Sequence, residues 1–176
     1  MRVLRSCLLV SLLTCCLFTL SFFNLSFFNL SPLAAWGASS SAIRSFAEVK
    51  ALGKNLAGQN LEQVEFGDAR LSGANLSGAN LRGAVFNAAV LTGANLQGVN
   101  FSDGIGYLCD FSDADLENAV LDSAMLLKSE FKGAKINGAD FSFALLDRPQ
   151  VLQLCEYASG VNPTTGVSTR ESLGCP

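Results

Sequence analysis

The sequence predicts an all-β fold: residues 54–148 form a coil of short extended sides, wound as a quadrilateral β-helix of just under five turns. Three observations predict it. From Leu56 to Leu146 one register returns at every fifth position, and 18 of its 19 residues are Leu, Ile or Phe, with Gly106 the exception. Two residues before these centres the side chain is mostly small, Ala at 12 of the 19 places, with Cys109 and Ser129 among the rest. Two residues after the centre, glycine stands at eight places, including Gly73, Gly78 and Gly83.

Period five suits neither ordinary element. On a helix, positions five apart are rotated by roughly 140°, so the Leu and Phe set would smear around the cylinder. On a straight strand, neighbours five apart fall on opposite faces. Both conflicts vanish if the chain bends after every five residues. The centre and the residue two before it then point inward, and the rest point outward. Successive turns pair their backbones about 4.8 Å apart. Glycine suits the bends.

The outward residues select four sides rather than three. A 20-residue turn stacks Asn55, Asn75, Asn95, Asp115 and Lys135 in one column, and Asn60, Asn80, Asn100, Val120 and Asp140 in another. Asp115 then falls under Lys135 and Glu62 under Arg82, both opposite-sign neighbours. A 15-residue turn mixes Asn60, Asn75, Val90, Ile105, Val120 and Lys135.

Units such as Ala74-Asn75-Leu76-Ser77-Gly78, Ala79-Asn80-Leu81-Arg82-Gly83 and Ala114-Asp115-Leu116-Glu117-Asn118 resemble the A(D/N)LxX unit of pentapeptide-repeat proteins. The resemblance covers over half the chain and implies a right-handed β-helix. Departures are Gly104-Ile105-Gly106 in mid-run and the starts Lys54, Gln59 and Val64.

Ahead of the repeats, Arg2 and Arg5 precede an apolar stretch from Cys7 to Trp36. Residues 1–37 read as a secretory signal with a small-x-small site at Ala35-Trp36-Gly37, or as an uncleaved anchor. Thr14-Cys15 is a poor lipoprotein site, and the separated arginines favour the general export route. Within residues 38–53, Ile43, Phe46, Ala47 and Val49 have helical spacing and would cover the lower end of the coil as a cap. A linker after the signal is the alternative.

Residues 149–176 read as a C-terminal cap of two short helices. Pro149 at a first turn, Val151, Leu152, Leu154 and Tyr157 predict one helix, ending at Gly160. Asn162-Pro163 makes a turn, and Ser168-Thr169-Arg170-Glu171 is a capping box opening a second helix that stops at Gly174. Cys155 and Cys175 fall one in each helix. In an exported chain they are expected to form a disulfide closing a loop of about 20 residues, worth roughly 3 kcal/mol. The tail also resembles the cap of thylakoid-lumen pentapeptide-repeat proteins through Cys155, Gly160-Val161-Asn162-Pro163, Thr165-Gly166, Thr169-Arg170, Ser172-Leu173 and Cys175. That resemblance implies a lumenal address, while the signal itself fits lumen or periplasm.

Composition removes most chemistry. There is no His, hence no His-based triad, general base or metal ligand. No phosphate-loop or dinucleotide fingerprint appears, and no cofactor is expected. From residue 38 onward the chain carries 10 Lys and Arg against 15 Asp and Glu, a net −5 that argues against nucleic-acid binding. Asp110 stacks below Glu130, a pair that binds a cation, raises a carboxylate pKa, or simply belongs to a solvated acidic face. Cys109, at an inward position, reads as a buried small residue.

One column departs from the polar rule. Its outward positions read Glu65, Val85, Ile105, Met125 and Leu145, with Tyr107, Leu108 and Leu127 just after the centres. Val85, Ile105, Tyr107, Leu108, Met125, Leu127 and Leu145 are therefore a candidate interaction face. The alternatives are that the chain's own ends cover it, or that Gly106 kinks Ile105 or Tyr107 inward. The expected function is a non-catalytic, exported structural or protein-interaction module, a monomer whose protein partner the residues do not name. It touches membrane only through its signal. The alternative, implied by another branch of the family, is an acidic DNA mimic that inhibits a topoisomerase such as gyrase.

Overall fold

A computed structural model describes residues 55–176. The expected signal (1–37) and N-terminal cap (38–53) lie outside the described residues. From Asn55 to Leu145, fifteen parallel bridges each join residues 20 apart, beginning with Asn55 to Asn75 and ending with Met125 to Leu145. One turn therefore takes 20 residues, as four sides of five.

Each side is held by the same few bonds. The centre donates upward, as Leu76 N–H does to Asn95 O at 2.8 Å, and the preceding residue donates downward, as Asn80 N–H does to Gln59 O at 2.9 Å. Each corner is closed by the next small residue, as in Ala79 N–H to Leu76 O at 3.0 Å. The corner residue two after the centre is left-handed throughout, whether it is Gly78 (φ +64°) or Leu108 (φ +57°). That is why glycine recurs there.

The interior is a column of apolar centres and small residues, nearly all with no more than a few per cent exposure. Phe66 stacks on Phe86 at 4.3 Å and Phe111 on Phe131 at 5.1 Å, each pair within 8° of parallel. Above Phe86 the column meets Gly106, where the register breaks. Phe101 supplies the reason: its ring meets Phe86 edge-on at 5.6 Å. A Cβ on Gly104 would stand 2.4 Å from that ring, and one on Gly106 would stand 3.0 Å from Leu126. Two missing side chains make room for one aromatic, and the ladder runs on unkinked, Val85 to Ile105 to Met125.

The upper end is closed by two helices, α1 (Arg148–Cys155) and α2 (Thr169–Ser172). Their segment supplies partners that a further turn would have provided. Asp147 Oδ2 accepts from Lys128 N–H at 2.8 Å, Ser159 O from Gly138 N–H at 2.8 Å, and Ser172 Oγ from Phe141 N–H at 3.0 Å. Gln150 Nε2 donates to Leu126 O (2.9 Å) and Ser129 O (2.6 Å). Fully buried Asn162 donates to Asn118, Ala119 and Gly138 carbonyls, while its Oδ1 accepts from the Thr164 and Thr165 amides. The expected turn at Asn162-Pro163 and the Ser168 N-cap, which accepts from Glu171 N–H at 3.2 Å, are both present. Cys155 and Cys175 are bonded, with Cα atoms 5.6 Å apart. Cys175, however, lies beyond the end of α2 rather than within it.

Candidate interaction face

The apolar column forms because each of its members precedes a centre, where the side chain must point out of the coil while its backbone is locked on both sides. Ile105 N–H donates to Ala84 O at 2.9 Å, Met125 N–H to Gly104 O at 2.8 Å and Leu145 N–H to Ala124 O at 2.8 Å. Val85, Ile105, Met125 and Leu145 thus stand one above another. None of the seven expected residues is buried. Leu108 (51%), Met125 (37%) and Leu145 (52%) are exposed, and Val85, Ile105, Tyr107 and Leu127 are half-buried against their stacked neighbours. Neither α1 nor α2 buries them. Beside them, Lys128 Nζ sits 5.6 Å from the Tyr107 ring centre.

The Tyr107–Leu108 corner is built differently from the others. Here the usual bond from Cys109 N–H to Gly106 O is replaced by a hydroxyl bridge. Cys109 N–H donates to Ser129 Oγ at 2.8 Å, and Ser129 Oγ–H donates to Gly106 O. Cys109 Sγ–H in turn donates to Phe86 O. Burial pushes the Cys109 thiol up to about 11, as expected for an inert small residue rather than a nucleophile.

One exposed aromatic escapes the sequence reading. Phe143 is 85% exposed at a left-handed corner (φ +56°), two residues before Leu145. It stands in a slot that mostly holds Gly, Asp, Asn or Ser, with Ala88, Leu108 and Lys128 among the exceptions, and an aromatic there is the available signal. Leu152 of α1 is also exposed, at 54%.

Two electrostatic expectations change. Arg82 Nε pairs with Asp103 at 3.2 Å, one turn upward, rather than with Glu62; Asp115 and Lys135 do pair, at 3.5 Å. Asp110 does bridge to Glu130 in the ladder, but its pKa is lowered, not raised. Hydrogen bonds from Ser112 lead, with a smaller contribution from Thr92, whose Oγ1–H donates at 2.9 Å; together they outweigh burial. Among the described residues no His, Cys, Asp or Glu group is placed to hold a metal ion. The interior gap beside Phe86, Phe101 and Phe111 is about 10 Å³ and wholly apolar, room for no more than about one water.

A parallel ladder with a 20-residue turn and alternating small and large inward residues defines a β-solenoid of five-residue sides. The chain belongs to the pentapeptide-repeat family: the repeat model matches residues 45–78, 55–87, 65–103 and 108–144, over half of the chain. It is 65% identical over 43 residues (24% of this chain) to thylakoid lumenal protein TL20.3 of Arabidopsis thaliana. That segment is 15% of the relative, so most of TL20.3 lies outside the match. A crystallised pentapeptide-repeat protein of the Arabidopsis thaliana thylakoid lumen is 36% identical, covering 68% of this chain and 90% of that one (TM-score 0.36). Another, from Nostoc Pcc 7120, is 28% identical, covering 64% and 94% (TM-score 0.50).

Proposed function

We propose that the protein is a non-catalytic interaction module of the thylakoid lumen, its coil right-handed as in its family and its apolar column the surface that meets a protein partner. The observation that carries this is the ladder Val85–Ile105–Met125–Leu145, apolar and uncovered by either C-terminal helix where the other faces are mostly polar. Burying such side chains against a partner would return about 25 cal/mol per Å². The lumenal address is supported by the names of the relatives and by the disulfide, which suits an oxidising compartment. In this reading residues 1–37 are the export signal, 38–53 the lower cap, 54–148 the coil and 149–176 the upper cap. A periplasmic address remains the second possibility for the same signal.

Inhibition of a topoisomerase by an acidic rod has less behind it, because the acids are interrupted by the apolar column. The test is co-purification from the source compartment with the wild-type chain and Met125→Asp in parallel. A partner retained by the first and lost by the second supports the reading. Equal recovery with both, or recovery of the chain in the cytoplasm, sinks it.

A further inference from the structure

We infer that the apolar face receives a cationic amphipathic helix of its partner, the helix's apolar stripe lying along the ladder and its Lys and Arg residues reaching carboxylates on both flanks. This rests on the interaction reading and adds the partner's chemistry. The charge pattern around the ladder selects it. On one flank, Asp103 lies two residues before Ile105 and Asp122 three before Met125. On the other, the next column of the coil carries Asp110 and Glu130, bridged to each other. Between Gly83 and Leu127 the sequence has no Lys or Arg at all. Three cations reach into this stretch from outside it. Lys135 pairs with Asp115 two sides away, and Lys128 sits over Tyr107 at the rim of the face. Arg82 meets Asp103 with both side chains more than half exposed, a pair that exchanges at little cost.

Dimensions agree. Val85 to Leu145 is three ladder steps of about 4.8 Å, about 14 Å, the rise of roughly ten helical residues. That is the length over which i, i+3 and i+7 anchors of a docked helix repeat. The same carboxylates oppose an anionic lipid surface. A face of four stacked side chains suits a transient rather than an obligate interface.

The test uses two fluorescein-labelled 14-residue peptides, about 21 Å as helices and so long enough to cover the ladder with a turn to spare, one Leu/Lys and one Leu/Glu, with the same apolar stripe. Fluorescence anisotropy is read against the purified full chain. The Leu/Lys peptide is expected to bind, about tenfold more weakly at 0.3 M salt than at 0.03 M, and the Leu/Glu peptide not to bind. Asp122→Asn with Glu130→Gln should weaken binding at least about threefold. Asp115→Asn with Glu117→Gln, two sides away, should leave it unchanged, and Met125→Asp should abolish it, with circular dichroism confirming an intact fold. If Met125→Asp abolishes binding but both peptides bind alike, the face stands and the cationic partner is wrong. Binding indifferent to Met125→Asp removes the face as well. Binding of neither peptide overturns the inference. So does a dimer dispersed by Met125→Asp, which makes the occupant a second copy.

Discussion

At the scale of single residues, the corners set a recurring cost. A non-glycine L-residue in the left-handed region is destabilised by about 1–2 kcal/mol, while glycine gives back about 0.5–1 kcal/mol through its greater freedom in the unfolded chain. Ala88 sits at φ +53° and Gly93, one corner on, at φ +65° with nothing within 4 Å of where a Cβ would be. Ala88→Gly should therefore raise stability and Gly93→Ala lower it, each by about 0.5–1 kcal/mol. The readout is the denaturant midpoint at unchanged slope. A stabilising Gly93→Ala would mean that corner strain is not what the glycines relieve. Phe143 and Leu108 carry the same strain with large exposed side chains, a combination that packing does not reward.

Asp140 sets the response to acid. Burial opposes its charge, but hydrogen bonds from the Ser142 and Thr165 side chains and from Ser142 N–H hold the carboxyl below its usual 3.8. A carboxyl depressed on folding stabilises the native state above its unfolded pKa, and that contribution fades as pH falls through the lower, folded value. Wild type should thus lose stability below about pH 4 more steeply than Asp140→Asn, measured by thermal melts between about pH 3 and 6. Parallel pH profiles for the two proteins would remove Asp140 from the account.

At the scale of elements, the opened corner at Gly106 and the cap are two solutions to unpaired backbone. Ser129 Oγ is the listening post between two turns: it accepts from Cys109 N–H and donates to Gly106 O. Ser129→Ala leaves a buried amide without its partner, a loss of about 1–3 kcal/mol. If the variant loses less than about 0.3 kcal/mol, the corner has closed on its own Cys109-to-Gly106 bond and the hydroxyl is dispensable.

These two elements also mark how far the sequence is legible. The five-residue register, the four sides, the small inward slots and the apolar column are periodic, so single residues announce them. The reason for Gly106 is not periodic. It needs Phe101 and Leu126 placed in space, and nothing about residue 106 alone reveals an aromatic ring leaning in from the neighbouring side. Arg82 likewise chooses Asp103 over the Glu62 stacked on it because a long side chain reaches diagonally as easily as straight. The helix opened by Pro149 is legible from its apolar spacing, but it stops at Cys155 rather than at the expected Gly160, which leaves Tyr157 outside it. Cys175 was misplaced into the second helix because four residues of helix leave little pattern to bound.

At the scale of the whole molecule, each turn touches only its neighbours, so stability is a sum of local interfaces and the last turn depends on what covers it. Here that cover is the segment closed by Cys155 and Cys175, 20 residues apart. Replacing both cysteines by Ala removes roughly 3 kcal/mol of loop constraint. The cap should then open more often than the coil beneath it. The amides of Gly138 and Phe141, whose acceptors are Ser159 O and Ser172 Oγ, should exchange with solvent up to about a hundredfold faster. Those of Leu76, Leu81 and Leu96, bonded from turn to turn far below, should keep their rates. Native-state hydrogen exchange reads both sets in one experiment. Uniform acceleration would mean that cap and coil open as one unit, and then the disulfide would protect the whole ladder, apolar face included, rather than its final turn.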